Sequence, residues 1–481
     1  GAGIYLNSAS ASISGTTFTT NAASGAGGGI YVYNTSTPSI SGSSFTGNTA
    51  GGAGGGIYAN SASPTITGNT LTGNTGSNGG GINIDYVTGT VSGNTLSGNS
   101  ADTGSGYGGA IYSYGNSPTI SGNVVSGNRA FGGAGICCSN NTPIIFNNTV
   151  SANIATDVGG GFYLTVLGVS KCVNNTVADN FSANGGGGIY CNASPSCNVS
   201  NNIVAFNASG ISIVGTAPTL GYNCVFGNDA LAYMGVADPT GANGNIAVDP
   251  QLANMTAGNL HIQPASPCLD TGDGTVLGGG WLDMDGQARV QGAQVDIGAD
   301  ESDGTSWPGA PAAKVIYVAS GVGGVGGGSD ANSGLSWVEP KLTIQAAINT
   351  AVAGDEVWVM TGDSYVEKIT LKKRVGVYGG FVGTETLRSE RDPLSNITVI
   401  EANLTGTVVT VPVGCFGGTA IDGFTIRNGQ ANSATSNNGG GLYCATASLT
   451  VANNTFRNNS ATNGAGVYLD WSPSVLTDNS L

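Results

Sequence analysis

Cleaving a sugar polymer by acid–base chemistry takes a positioned acid and a positioned base, commonly two carboxylates within roughly 5–10 Å of each other. Residues 1–240 of this 481-residue chain carry only eight charged side chains: Asp85, Asp102, Arg129, Asp157, Lys171, Asp179, Asp229 and Asp238. Asp85, Asp102, Asp157 and Asp179 are the candidates for such a pair, with Arg129 and Lys171 as basic partners. They fall at different phases of the repeat described below. Asp102 and Asp157 both precede a Gly-Gly, but two repeats apart, which is at least ~9.6 Å if stacked strands are ~4.8 Å apart. The expectation is solvated loop carboxylates and no catalytic site. His261 is the only histidine. A catalytic triad or a zinc site would need partners that the chain does not offer, so a packing or hydrogen-bonding role is expected.

The turn Asp283-Met-Asp285-Gly286 has Asp270, Asp273, Asp296, Asp300 and Glu301 nearby in sequence. Carboxylates on a Gly-containing turn suit a hard cation, so Asp283, Asp285 and Asp296 are candidate calcium ligands, although the glutamate that closes an EF-hand loop is missing. Arg289 offers the other reading, a guanidinium–carboxylate clasp that pins this segment. No other cofactor is implied. Among the nine cysteines there is no C-x-x-C pair, which argues against zinc ribbons and thioredoxin-like chemistry. Cys191 and Cys197 bracket a five-residue turn and are a candidate disulfide, and Cys172 falls at the inward phase of Ile66 and Val199. An oxidising, extracellular setting is expected.

These residues sit on a repeat. The phrase GGGIY or a close variant ends at Tyr5, Tyr31, Tyr58, Asn83, Tyr112, Cys137, Tyr163 and Tyr190, and again at Tyr443 and Tyr468. The spacing is about 26 residues. A second phrase, an apolar residue followed by x-x-Asn, tracks it at Asn21, Asn48, Asn74, Asn99, Asn128, Asn153, Asn180 and Asn207, and returns at Asn459. Helical repeats need apolar residues at i, i+3, i+4 and i+7, which are absent; short β-type runs separated by Gly, Asn, Ser and Pro are present instead. A 26-residue unit with three short strands cannot bury a face alone and must stack on its neighbours. The expected fold is therefore all-β: a parallel β-solenoid with three short strands per coil, right-handed by crossover chirality, and one short capping α-helix. The recurrent Asn residues should form an internal ladder. Outward tyrosines (Tyr31, Tyr58, Tyr112, Tyr163, Tyr190) could stack on sugars or on one another, and a ladder is the simpler reading. The Asn-x-Ser/Thr triplets are by-products of the repeat.

Composition fits this reading. Gly makes 83 of 481 residues and charged residues only 9%, against usual shares of about 7% and 25%. With 13 Lys+Arg against 28 Asp+Glu, no basic footprint for nucleic acid exists, and no apolar run reaches the ~20 residues of a membrane span. Charge divides the chain: residues 241–403 hold 28 of the 41 charged side chains.

The two phrases, over residues 1–207 and 437–481, resemble the repeats of polymorphic outer membrane proteins and related surface β-helices. That resemblance implies secretion to a bacterial surface and adhesion. Within 249–301, NLHIQPASPCLDTG (259–272), DMDGQAR (283–289) and VDIGADE (295–301) look like a choice-of-anchor Q domain, which implies a lid over a solenoid end. From Lys341, KLTIQAAINTAVAGDEVWV resembles the capping helix and first coils of pectin-lyase-like β-helix proteins. Leu342, Ala346, Ala347, Ile348 and Ala351 mark that helix, ended near Gly354. The expected organisation is coils over 1–215, a cap over 216–303, a linker over 304–313, a capping helix and first coils over 314–430, and coils over 431–481. Reading 314–481 and then 1–303 would give one module in natural order, so the sequence reads as one period of a tandem or polymeric chain. The expected function is a non-catalytic structural or adhesive module of a bacterial cell-surface fibre, its partners being further copies of itself and surface polysaccharide. A polysaccharide-binding or polysaccharide-cleaving β-helix is the alternative.

Overall fold

A computed structural model describes residues 1–101, 104–192, 195–320, 327–431 and 437–481. The chain divides into two compact units, Gly1–Ala310 and Pro311–Leu481. The division falls inside the stretch expected to be a linker.

The first unit is a parallel β-solenoid whose three main sheets contain ten, nine and nine strands, each coil adding one strand to each sheet. In the first sheet Ile4–Asn7 pairs with Ile30–Tyr33, which pairs with Ile57–Asn60. The register continues Tyr58↔Asn83↔Tyr112↔Cys137↔Tyr163↔Tyr190. The phase of the GGGIY phrase is thus the register of the sheet. Alternation decides what is inside: Ile13, Ile40, Ile66, Val91, Ile120, Ile145, Cys172, Val199 and Leu220 form one buried row. Cys172 points inward as expected. The glycines that precede the first sheet have two separate causes. Gly54 sits at φ 69°, where an L side chain is strained. A Cβ on Gly56 would lie 2.7 Å from the Gly81 carbonyl oxygen.

The solenoid runs beyond residue 215. Thr219–Gly221, Cys224–Phe226 and Tyr233–Met234 still belong to the three sheets, and Cys224 bridges to Ile246 in parallel. An antiparallel hairpin follows, Leu252–Asn254 with Asn259–Ile262. The next segment corrects the expectation of a lid. Residues 267–302 fold back along the flank of earlier coils: Trp281 stacks on Phe146 at 3.7 Å, Lys171 Nζ donates to the Val276 carbonyl at 2.8 Å, and Asn174 Nδ2 donates to the Asp296 carbonyl at 3.1 Å. Asn201 Nδ2 donates to the Asp273 carbonyl, and Gly298 N donates to the Asn201 carbonyl. The cause is local to the coils beneath. Their outward positions are apolar at Phe146, Val173, Ile203 and Ala205, and all four are buried under this flap.

In the second unit a six-stranded and two four-stranded parallel sheets repeat the design. Its helix, Ile344–Thr350, is the one α-helix among the described residues. Thr343 caps it by accepting from Ala346 N, and Ile344, Ala347 and Ile348 are buried. It stops four residues before Gly354, because Ala351 already adopts an extended backbone. Leu342, expected within the helix, lies outside it and is exposed. No helix among the described residues is long and apolar enough to cross a membrane.

Candidate functional site

The polar residues that recur most are spent inside the solenoid. In the first ladder each Asn accepts, through Oδ1, both the backbone N–H and the side-chain N–H of the Asn one coil earlier: Asn21 on Asn48, Asn48 on Asn74, Asn74 on Asn99, and on through Asn128, Asn153, Asn180 and Asn207 to Asn228. Each interior Nδ2 also donates to a carbonyl of the preceding coil, as Asn48 does to Phe18 and Asn74 to Phe45. One amide therefore ties three consecutive coils. Asn459, in the second unit, accepts from Gly429 N and donates to the Ile426 carbonyl.

A second ladder escaped the sequence reading. Asn69, Asn94, Asn123, Asn148, Asn175, Asn202, Asn223 and Asn245 repeat the same geometry five residues upstream in most coils. Its signal was present, since the phrase T-I-T-G-N ends at Asn69 just as L-T-G-N ends at Asn74. Several tyrosines meet one another: Tyr163 stacks on Tyr190 at 5.1 Å and 2° and Tyr443 on Tyr468 at 5.5 Å, Tyr31 leans on Tyr58 at 4.9 Å and 50°, and Tyr112 lies in register with Asn83 and Cys137. Burial pushes the Tyr163 phenol up to about 12.

The candidate acids are dispersed. Asp85 accepts from the Tyr58 hydroxyl at 2.9 Å, and burial raises its pKa. Asp157 accepts from Asn184 Nδ2, and Asp179 sits in a left-handed turn at φ 62°. Lys171 anchors the flap, and Asp102 lies outside the described residues.

Charge is concentrated where the flap meets the hairpin. Asp283 Oδ1 accepts from Asp285 N and Gln287 N while Oδ2 accepts from Glu301 N. Asp296 accepts from Asp270 N and Ser302 N. Two of the three candidate calcium ligands are thus committed to backbone N–H groups. The third, Asp285, contacts His261 Nε2 at 2.9 Å. The structure gathers His261, Asp285 and Asp300 instead, with ligand atoms within 4.8 Å of one another, and these are the described residues that could hold a metal ion. His261 Nδ1 meets Asn259 Oδ1 at 2.6 Å, and its ring stacks on Trp307 at 3.8 Å. Both ring nitrogens thus face oxygen atoms of neighbouring side chains. Burial pushes the Asp300 carboxyl up to about 6, although Ile262 N donates to it. Arg289 is buried and donates to the carbonyls of Asp296, Gly298 and Ala299, with Glu301 at 3.7 Å, so the clasp grips backbone more than carboxylate.

All nine cysteines are buried thiols. Cys191 and Cys197 lie side by side in hydrogen-bonding contact, which, with burial, raises the Cys191 thiol. The turn residues 193 and 194 between them lie outside the described residues. In the second unit a groove of 660 Å³ is lined by Arg388, Arg391, Asp392, Asn453 and Asp478 among others. Arg391 is paired with Asp422 at 2.7 Å.

The family described as "Right handed beta helix region" matches residues 1–148 and 80–246, about half of the chain. The chain belongs to that family. No curated protein matches it in sequence. Among solved structures it is similar to the PL6 family alginate lyase AlyGC, at 11% identity and a TM-score of 0.26, covering 99% of this chain and 96% of that one. An arginine-to-alanine mutant of the same lyase matches at 12% identity and a TM-score of 0.26, covering 98% of this chain and 76% of that one. Likenesses at that level carry no argument about activity.

Proposed function

We propose that this chain is a structural or adhesive module of a bacterial cell-surface or extracellular fibre, and that it is not catalytic. The observation that carries the reading is the pair of asparagine ladders. The repeat's recurrent polar side chains are directed inward and along the axis, each bonded to neighbouring coils, which stiffens the stack instead of presenting reactive groups. The repeat phrases resemble those of secreted bacterial surface proteins, which supports an extracellular location. Partners would be further copies of the chain, stacked coil on coil as its own coils stack.

Electron microscopy of the purified protein at near-neutral pH tests this. Thin filaments that lengthen with protein concentration are expected; separate short particles at all concentrations would overturn the fibre reading. Polysaccharide contact is a second reading, favoured by the 660 Å³ groove with its arginine, aspartate and asparagine lining. Affinity electrophoresis through gels containing neutral and uronic-acid polysaccharides would detect it as retardation removed by Asn453→Ala. Release of unsaturated or reducing ends from the same polymers would show catalysis.

A further inference from the structure

Cys268 lies at the start of the flap, and its placement is more constrained than flap packing requires. Cys268 N donates to Ser266 Oγ at 3.1 Å, and Ser266 Oγ donates to the Pro250 carbonyl at 2.7 Å. On its other side, Ile297 N donates to the Cys268 carbonyl at 3.0 Å, which closes the flap's far end onto its start. The side chain is wholly buried in a small apolar cluster with Ile203, Ala205, Cys224, Ile262 and Ile297. Within that cluster Cys268 packs beside Cys224, whose Sγ donates to the Val248 carbonyl at 3.2 Å and so leaves its sulfur lone pairs towards the Cys268 thiol. Cys224 belongs to the solenoid: it pairs with Ile203 in the third sheet and bridges to Ile246. Two buried thiols in one small cluster, one on the solenoid and one at the root of the flap, are placed to be joined.

We propose that Cys224 and Cys268 form a disulfide that latches the flap to the solenoid. The bond is made by thiol–disulfide exchange with a disulfide oxidant, small-molecule or protein. The Cys224 and Cys268 S–H bonds and the oxidant's S–S bond break, one protein S–S bond forms, and the two electrons and two protons leave as two thiols of the reduced oxidant. In the folded state both thiols are sealed from solvent, and the Cys268 thiol is raised by its hydrogen bond to Cys224 and by burial. Thiolate attack is correspondingly slow. The bond therefore forms while the flap is docking, and once made it resists small reductants unless the flap opens. Cross-linking solenoid to flap closes a long loop, the case in which the unfolded chain loses most freedom.

The test uses the wild-type chain, refolded in a buffer of oxidised and reduced glutathione, then denatured without reductant, alkylated with iodoacetamide and digested. A linked pair of peptides containing Cys224 and Cys268 is expected, and it should disappear when dithiothreitol is added under denaturing conditions. Limited proteolysis of oxidised and fully reduced wild-type protein should then differ, with cleavage in 271–294 at least about tenfold faster after reduction. The proposal is overturned if both cysteines are recovered alkylated, or if Cys268 is recovered linked to another cysteine. It is also overturned if the link forms but leaves flap cleavage unchanged, because a latch must hold the flap. The Cys191–Cys197 pair would appear as a different linked peptide and is scored separately.

Discussion

Asn128 stands in the middle of the first ladder. Its Nδ2 donates to the Leu96 carbonyl at 3.0 Å, the Ser126 carbonyl at 3.1 Å and Asn153 Oδ1 at 2.9 Å, while its Oδ1 accepts from both nitrogens of Asn99. Removing the amide leaves buried donors and acceptors on three coils without partners, each worth about 1–3 kcal/mol. Asn128→Ala should cost about 3–5 kcal/mol in urea unfolding, and Asn21→Ala, at the partly exposed first rung, clearly less; equal and small losses would show that the ladder is not what holds the coils. Asp300 makes a pH prediction. Burial lifts its carboxyl from 3.8 to about 6, so the folded chain holds this proton more tightly than the unfolded one. Its contribution is fully present below pH 3.8 and is lost as pH rises through about 6, up to about 3 kcal/mol in all. Asp296 shifts in the same direction, also by burial first. Comparing wild type with Asp300→Asn between about pH 4.5 and 7 isolates this group; parallel stability curves for the two would refute the assignment.

Among the elements, the flap is the one held to the coils by aperiodic contacts. Trp281 on Phe146 and Lys171 on the Val276 carbonyl fasten its middle. Trp281→Ala should speed proteolysis within 271–294 about tenfold while leaving the far-UV circular dichroism of the solenoid unchanged; loss of the β signal would mean that the flap is part of the coil structure. The helix of the second unit shows how an element can be legible while its anchoring is not. Its apolar spacing was readable, but the Glu367 carboxylate that accepts Ile344 N at 2.8 Å and Gln345 N at 3.0 Å comes from 22 residues downstream. The expected lid failed for a related reason. A cap phrase says that a segment covers something, whereas the apolar outward residues of distant coils decide what is covered.

At the scale of the whole molecule the chain has two large buried cores, one within the solenoid of the first unit and one within the second. Calorimetry should show two transitions, and Asn128→Ala should lower only one of them; a single transition that shifts as a whole would contradict two independently stable units. The coil period, the register, the inward rows and the first asparagine ladder were all legible from sequence, and the tyrosine ladder was legible in part. In a solenoid each residue's neighbours are those one period away, so a linear pattern maps directly onto contacts. The second ladder carried the same signal and could have been read. The flank position of the flap, the commitment of Asp283 and Asp296 to backbone, the gathering of His261 with Asp285 and Asp300, and the meeting of Cys224 with Cys268 were decided only by the tertiary structure. These contacts join aperiodic residues, some of them more than a hundred positions apart, and no repeat in the sequence encodes where such a segment comes to rest.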